Sequence, residues 1–145
     1  MWHRRISGRR IRWLVVAHLA MLAGLALSDP ARAEGRAHSL QGLFCNSEEQ
    51  LDRTLAFVGQ RLAPRTAVAL ANDDAVVCTF VDVLRYVVDE PVLIDEIHLG
   101  APVFKYQGWL VGVVVGDALR PVTPPAQIFF ALQEKLAGVP RGGRS

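Results

Sequence analysis

Val76-Val77-Cys78-Thr79-Phe80-Val81-Asp82-Val83-Leu84-Arg85-Tyr86-Val87-Val88 decides the fold class of this chain. β-Branched and aromatic side chains dominate the stretch; they suit a pleated surface and lose χ1 freedom against the preceding turn of a helix. The stretch predicts a long strand. After it, Asp89-Glu90-Pro91 reads as a turn, Val92–Leu99 as a second strand closed by Gly100, and Val103–Val115 as a third, bulged at Gly108. Gly116-Asp117-Ala118 turns the chain into a short strand, Leu119–Thr123. Successive strands joined by short turns imply an antiparallel meander. Residues 125–137 are open to two readings. One is a helix started by Pro125, carrying Ile128, Phe129, Leu132 and Leu136 and stopped by Gly138. The other is a last strand, Gln127–Leu132, followed by a helical Glu134–Ala137, and Ile128-Phe129-Phe130 favours this one.

Upstream the period changes. Leu51, Leu55, Val58 and Leu62 recur at helical steps and predict an amphipathic helix over about 47–62. Asn46 with Glu49 has the spacing of a capping box at its start, and Pro64 stops it. Thr66–Ala71 adds a helical turn, and Asn72-Asp73-Asp74 is a turn. Residues 34–43 show neither period and contain Gly35 and Gly42, so they read as a lead-in. Cys45 stands just before the helix and Cys78 inside the long strand, and as the cysteines of the chain they allow a single pairing. They are not a Cys-x-x-Cys redox pair, so the expectation is a structural disulfide, stabilising by about 3–4 kcal/mol through the loop it closes. The sum is an α+β domain over residues 34–140: one N-terminal amphipathic helix packed on a small, curled antiparallel sheet of four or five strands, with residues 141–145 as a disordered tail.

The N-terminal region is a leader by pattern. Arg4, Arg5, Arg9, Arg10 and Arg12 precede the apolar run Leu14–Leu27, and Ala31-Arg32-Ala33 is a small-x-small cleavage site, so residues 1–33 read as a signal peptide. The run is shorter than the roughly 20 apolar residues a membrane-spanning helix needs. Export to a bacterial periplasm, or secretion, follows, with no membrane contact after cleavage, and an oxidising compartment agrees with the disulfide. The full chain is formally +2, yet residues 34–145 hold 10 basic and 13 acidic side chains, a formal −3. Such a domain has no general attraction for phosphate backbones, which excludes nucleic acid as a partner class.

The residues that carry chemistry are sparse. Glu96 and His98 share one face of the second strand and are the candidate metal ligands, with Asp73, Asp74 or Asp82 as conceivable third donors and His38 far off in the lead-in. Asp89-Glu90 and Asp95-Glu96 are acid pairs, but both flank turns. Ser39 and Ser47 lie in no nucleophile motif, so no catalytic residue and no cofactor site is assigned. Gly108, Gly112 and Gly116 fall on one strand face and predict a track without side chains, open to a ligand or filled by the domain itself. Tyr86, Phe104, Tyr106 and Trp109 are candidates to line an apolar pocket, or to be absorbed by the core.

Phe44-Cys45 with Gln50, Cys78 in a valine-rich strand, and Val122-Thr123-Pro124 together resemble the pattern of a group of short exported proteobacterial proteins without an assigned activity. The resemblance implies a two-cysteine, one-domain protein and no catalytic residue. The functional expectation is a non-catalytic periplasmic module that binds a protein partner through a sheet edge, or a small ligand. Two alternatives stay open: a small metal-binding or metal-assisted enzyme using Glu96 and His98, and, by analogy of architecture, an inhibitor of a cell-wall hydrolase.

Overall fold

The computed structural model describes residues 37–142, so the expected leader, residues 1–33, lies outside the described residues. The elements in chain order are β1 (His38–Cys45), α1 (Glu48–Gly59), α2 (Pro64–Ala71), β2 (Cys78–His98), β3 (Pro102–Val115) and β4 (Ala118–Leu132). Each strand pairs antiparallel with the next. β1 also pairs with β4, Leu43 opposite Ala131 and Cys45 opposite Phe129, which closes the four strands into a barrel.

Side-chain alternation along β1 divides the protein into two apolar clusters. Phe44 faces into the barrel with Val81, Val88, Leu93, Tyr106, Ile128 and Phe130. Its neighbours Leu43 and Cys45 face outward, where Leu51 and Leu55 of α1 pack on them together with Cys78 and Ala131. The rings of Tyr86, Phe44, Phe130 and Tyr106 form a continuous row inside, with successive centroids 4.8, 5.4 and 5.2 Å apart. Cys45 and Cys78 are direct cross-strand partners and form the expected disulfide, with Cα atoms 4.0 Å apart and both residues buried.

Helix α1 is further fixed by charge. Lys105 on the outer face of β3 is buried beneath it, with Nζ 3.2 Å from Glu48 Oε1 and hydrogen-bonded to Asp52 Oδ1. Burial pushes the Lys105 pKa down, but the hydrogen bonds and charges of Asp52 and Glu48 outweigh it and the net direction is up. Asn72, just past α2, holds the start of β2: its Oδ1 accepts from Val77 N (3.0 Å) and Cys78 N (2.8 Å), and its Nδ2 donates to Cys78 O (2.7 Å).

Several expectations are corrected. There are two helices rather than one, and neither is N-terminal in the domain, because the expected lead-in supplies β1. Ser47, not Asn46, caps α1, accepting from Gln50 N at 3.3 Å, while Asn46 N donates to Val77 O. Pro64 does more than stop α1, since its fixed φ and missing N–H suit the first turn of α2. The two strands expected over residues 76–99 are one bent strand. Glu90, at φ 47°, and buried Pro91 form a bulge in β2 opposite Gly108, so the irregularity expected on β3 sits on its partner. A Cβ at Gly108 would lie 2.6 Å from Val88 Cγ1, so the missing side chain admits that bulge. Likewise β4 is continuous: Val122–Pro125, with a cis Thr123–Pro124 peptide, stand opposite Val111 alone. The strand reading of Gln127–Leu132 holds, but Glu134–Ala137 is a bend and turn, not a helix. Finally, Arg141 and Gly142 are not a loose tail. Leu93 N donates to Pro140 O (3.0 Å) and Gly142 N to Leu93 O (2.9 Å), which clips them to β2; residues 143–145 lie outside the described residues.

Candidate functional site

β1 and β4 run together for only a few residues and then part. The pairing covers Leu43–Cys45 and Phe129–Ala131; beyond it β1 continues back to His38, while β4 ends at Leu132 and the chain bends away. One edge of His38–Gly42 is paired with β2, through a register shift at Gln41. Among the described residues, no strand and no loop backbone bonds to the other edge.

That edge lies in a cleft of about 660 Å³, within the ~300–1,000 Å³ usual for ligand sites. Leu55 and Val58 of α1, Pro64 of α2, the strap Gln133–Ala137 and Ser39–Gly42 all line it. Local chemistry holds each part in place. Gln41 Nε2 donates to Asp82 O (2.7 Å) and Leu84 O (3.3 Å), spanning the four-residue bulge Asp82–Arg85 of β2. Gly42, at φ 148°, sits where the strands part; a Cβ there would meet Ala131 O and Leu132 Cδ2, both at 3.1 Å. The strap is anchored by Leu136, which packs on the barrel interior and whose N–H donates to the Tyr106 hydroxyl at 2.8 Å. Burial raises the Tyr106 pKa; the bond from Leu136 opposes this and the Glu96 charge adds to it.

The other free edges of the barrel are guarded. The unpaired edge of β4, Ala118–Gln127, carries Pro121, Pro124 and Pro125, which remove N–H donors. Free stretches of β2 carry Asp82 in one half and Asp89, Glu90, Pro91, Asp95 and Glu96 in the other. Ser39-Leu40-Gln41-Gly42 has neither proline nor charge.

The sequence-derived candidates fall elsewhere. Glu96 and His98 do share an exposed face at the end of β2, but among the described residues no group of three His, Cys, Asp or Glu side chains is placed to hold a metal. Asp82 pairs with Arg65, Asp73 and Asp74 are exposed beyond α2, and His38 starts β1. The glycine track is not an open groove: Val88 closes over Gly108 and Leu119 over Gly112, where a Cβ would lie 2.8 Å from Leu119 Cδ1. Strand neighbours fill it. Tyr86, Phe104 and Tyr106 belong to the barrel core while Trp109 is half-exposed outside, so the four line no common pocket. The acid pairs sit at the Glu90 bulge and near the end of β2.

Three side chains at this end of the molecule were not singled out from sequence: Gln41, Tyr106 as anchor of the strap, and Glu134. A signal for Glu134 does exist, since it continues the inward-facing series Ile128, Phe130, Leu132 as a charged residue. Comparison with protein-family models, with characterised proteins and with solved structures gives no match.

Proposed function

We propose that this is an exported, non-catalytic interaction domain of a bacterial periplasm, and that it takes an extended segment of another polypeptide along the free edge of β1. The observation that carries the reading is an unguarded strand edge lining a cleft, in a barrel whose other free edges, among the described residues, bear prolines or charges. Main-chain hydrogen bonds from such an edge supply affinity, and flanking side chains supply selectivity. Export is supported by the leader pattern of residues 1–33 and by the buried disulfide, a bond that persists in oxidising compartments.

Phage-displayed random peptides panned against the full chain, expressed with export and recovered oxidised, test the reading. Enriched sequences of strand character are expected, and a synthetic copy titrated into isotope-labelled protein should move the amide resonances of Ser39–Gly42 first. No enrichment, or shifts confined to β4, would refute it.

A further inference from the structure

We infer that the outer face of the sheet around Trp109 is a binding platform for a neutral pyranose sugar. Its four residues, Asp89, Gln107, Trp109 and Gln127, lie outside the lining of the cleft, so the platform stands whether or not β1 takes a peptide.

Trp109 of β3 stands opposite Asp89 of β2 and opposite Gln127 of β4, and Gln107 precedes it by two positions. Directly opposed residues share a face, as do residues two apart on one strand. The chain neighbours Val88, Tyr106 and Ile128 are buried in the barrel interior, so these four side chains point outward. On that outer face the helices pack over Leu43, Cys45, Cys78 and Ala131, whereas Trp109 is left 44% exposed. Neighbouring strands lie about 4.8 Å apart, so Asp89 and Gln127 flank the indole across about 10 Å. The outcome is an apolar ring bordered by one carboxylate and two amides. Asp89 Oδ1 accepts from Glu90 N at 3.0 Å, which orients the carboxylate and leaves Oδ2 as a second acceptor. Among the described residues, neither Gln107 nor Gln127 spends its side-chain amide on a hydrogen bond within the protein.

A pyranose with equatorial hydroxyls has the matching two-part character: C–H bonds on its ring faces and hydrogen-bonding groups around its rim. Its face stacks on the indole, while rim hydroxyls donate to Asp89 and both donate to and accept from the amides. Other occupants meet the same groups badly. The centre of a protein interface is depleted of charge, and here a carboxylate stands beside the aromatic ring. Nucleotides and anionic lipid headgroups would bring phosphate against Asp89, in a domain whose residues 34–145 carry a formal −3. The same charge selects a neutral sugar over a uronic acid.

Trp2 and Trp13 fall in the leader, so after export Trp109 is the sole tryptophan and its fluorescence reports this face. Cellotetraose and its N-acetylated counterpart chitotetraose, titrated into the full chain expressed with export and recovered oxidised, test the inference. At least one should give a saturable fluorescence change with a Kd of about 1 mM or below, and the tighter of the two shows whether an acetamido group is read. The indole N–H of Trp109 and the side-chain amides of Gln107 and Gln127 should shift in the same titration. Tetragalacturonate should bind at least about tenfold more weakly, and Asp89→Asn should narrow that gap. Followed by resonance shifts, Trp109→Ala should weaken the neutral sugar by at least about tenfold. Gln127→Ala, at an exposed position where the fold is not at stake, should weaken it as well. No saturation by either neutral sugar up to about 10 mM, tighter binding of tetragalacturonate, or undiminished binding by Trp109→Ala would each overturn the inference. So would a dimer, or binding to anionic vesicles, that perturbs Trp109 in a protein unresponsive to sugar.

Discussion

The ion pairs under α1 make an asymmetric prediction. The Lys105 side chain is 3% exposed, while those of Glu48 and Asp52 are 52% and 53% exposed. Glu48→Gln with Asp52→Asn strands an ammonium that water cannot reach. Removing the partners of a buried charge costs about 3–5 kcal/mol, and the half-exposed position of these carboxylates trims the expected loss to about 2–4 kcal/mol. Lys105→Met is different. It leaves two half-exposed carboxylates able to rehydrate, one of them, Glu48, in the first turn of α1 where the helix dipole favours it, and it keeps most of the apolar packing of the stem. The expected change is within about 1 kcal/mol of the wild type. Urea unfolding of the oxidised protein followed by circular dichroism separates the two, since the larger loss moves the midpoint by about 2 M. The pH dependence has a fixed sign as well. A lysine whose folded pKa is raised contributes stability that is complete below 10.5 and lost as pH rises through the folded value, so the wild type should weaken at higher pH and Lys105→Met should not share that loss. Equal destabilisation by the methionine and by the paired amides would refute the claim that the ammonium, rather than the carboxylates, is the stranded charge.

Cys45→Ala with Cys78→Ala should lose about 3–4 kcal/mol by urea unfolding, from the 33-residue separation of the crosslink. Asn72→Ala should cost about 1–3 kcal/mol, because the amides of Val77 and Cys78 lose their acceptor, and should speed their hydrogen exchange. Gly108→Ala should cost about 1–3 kcal/mol in thermal or urea unfolding, as its Cβ would lie 2.6 Å from a side chain in a packed core. Tyr106→Phe should speed exchange of the Leu136 amide and cost about 1–2 kcal/mol, with the strap the first part to loosen.

Local patterns were legible where one element dominates its own burial. The stripe of α1 faces a single core, so its period survives in the sequence, and the run of β2 is dense enough in β-branched and aromatic residues to read as a strand although its side chains serve both clusters. β1 was not legible, because Ser39-Leu40-Gln41-Gly42 has one strong apolar residue and the alternation begins only at Leu43, where two cores start to compete for alternate side chains. Asp89-Glu90-Pro91 has the composition of a turn and becomes a bulge because Gly108, on another strand, leaves room for it; tertiary context outweighed local chemistry. Barrel closure depends on Leu43–Cys45 meeting Phe129–Ala131, a pairing of distant segments with no mark in either. The cleft followed from closure and was equally hidden, although the general idea of a free sheet edge needed only the presence of strands.

The placement of the crosslink has a consequence for folding. A strand that slips by one residue exchanges its two faces, and in β1 that would send Leu43 into the barrel and push Phe44 under the helices. Oxidation thus works as proofreading: the threading that sets Cys45 across from Cys78 is made permanent, and a mis-threaded chain is left free to come apart and try again.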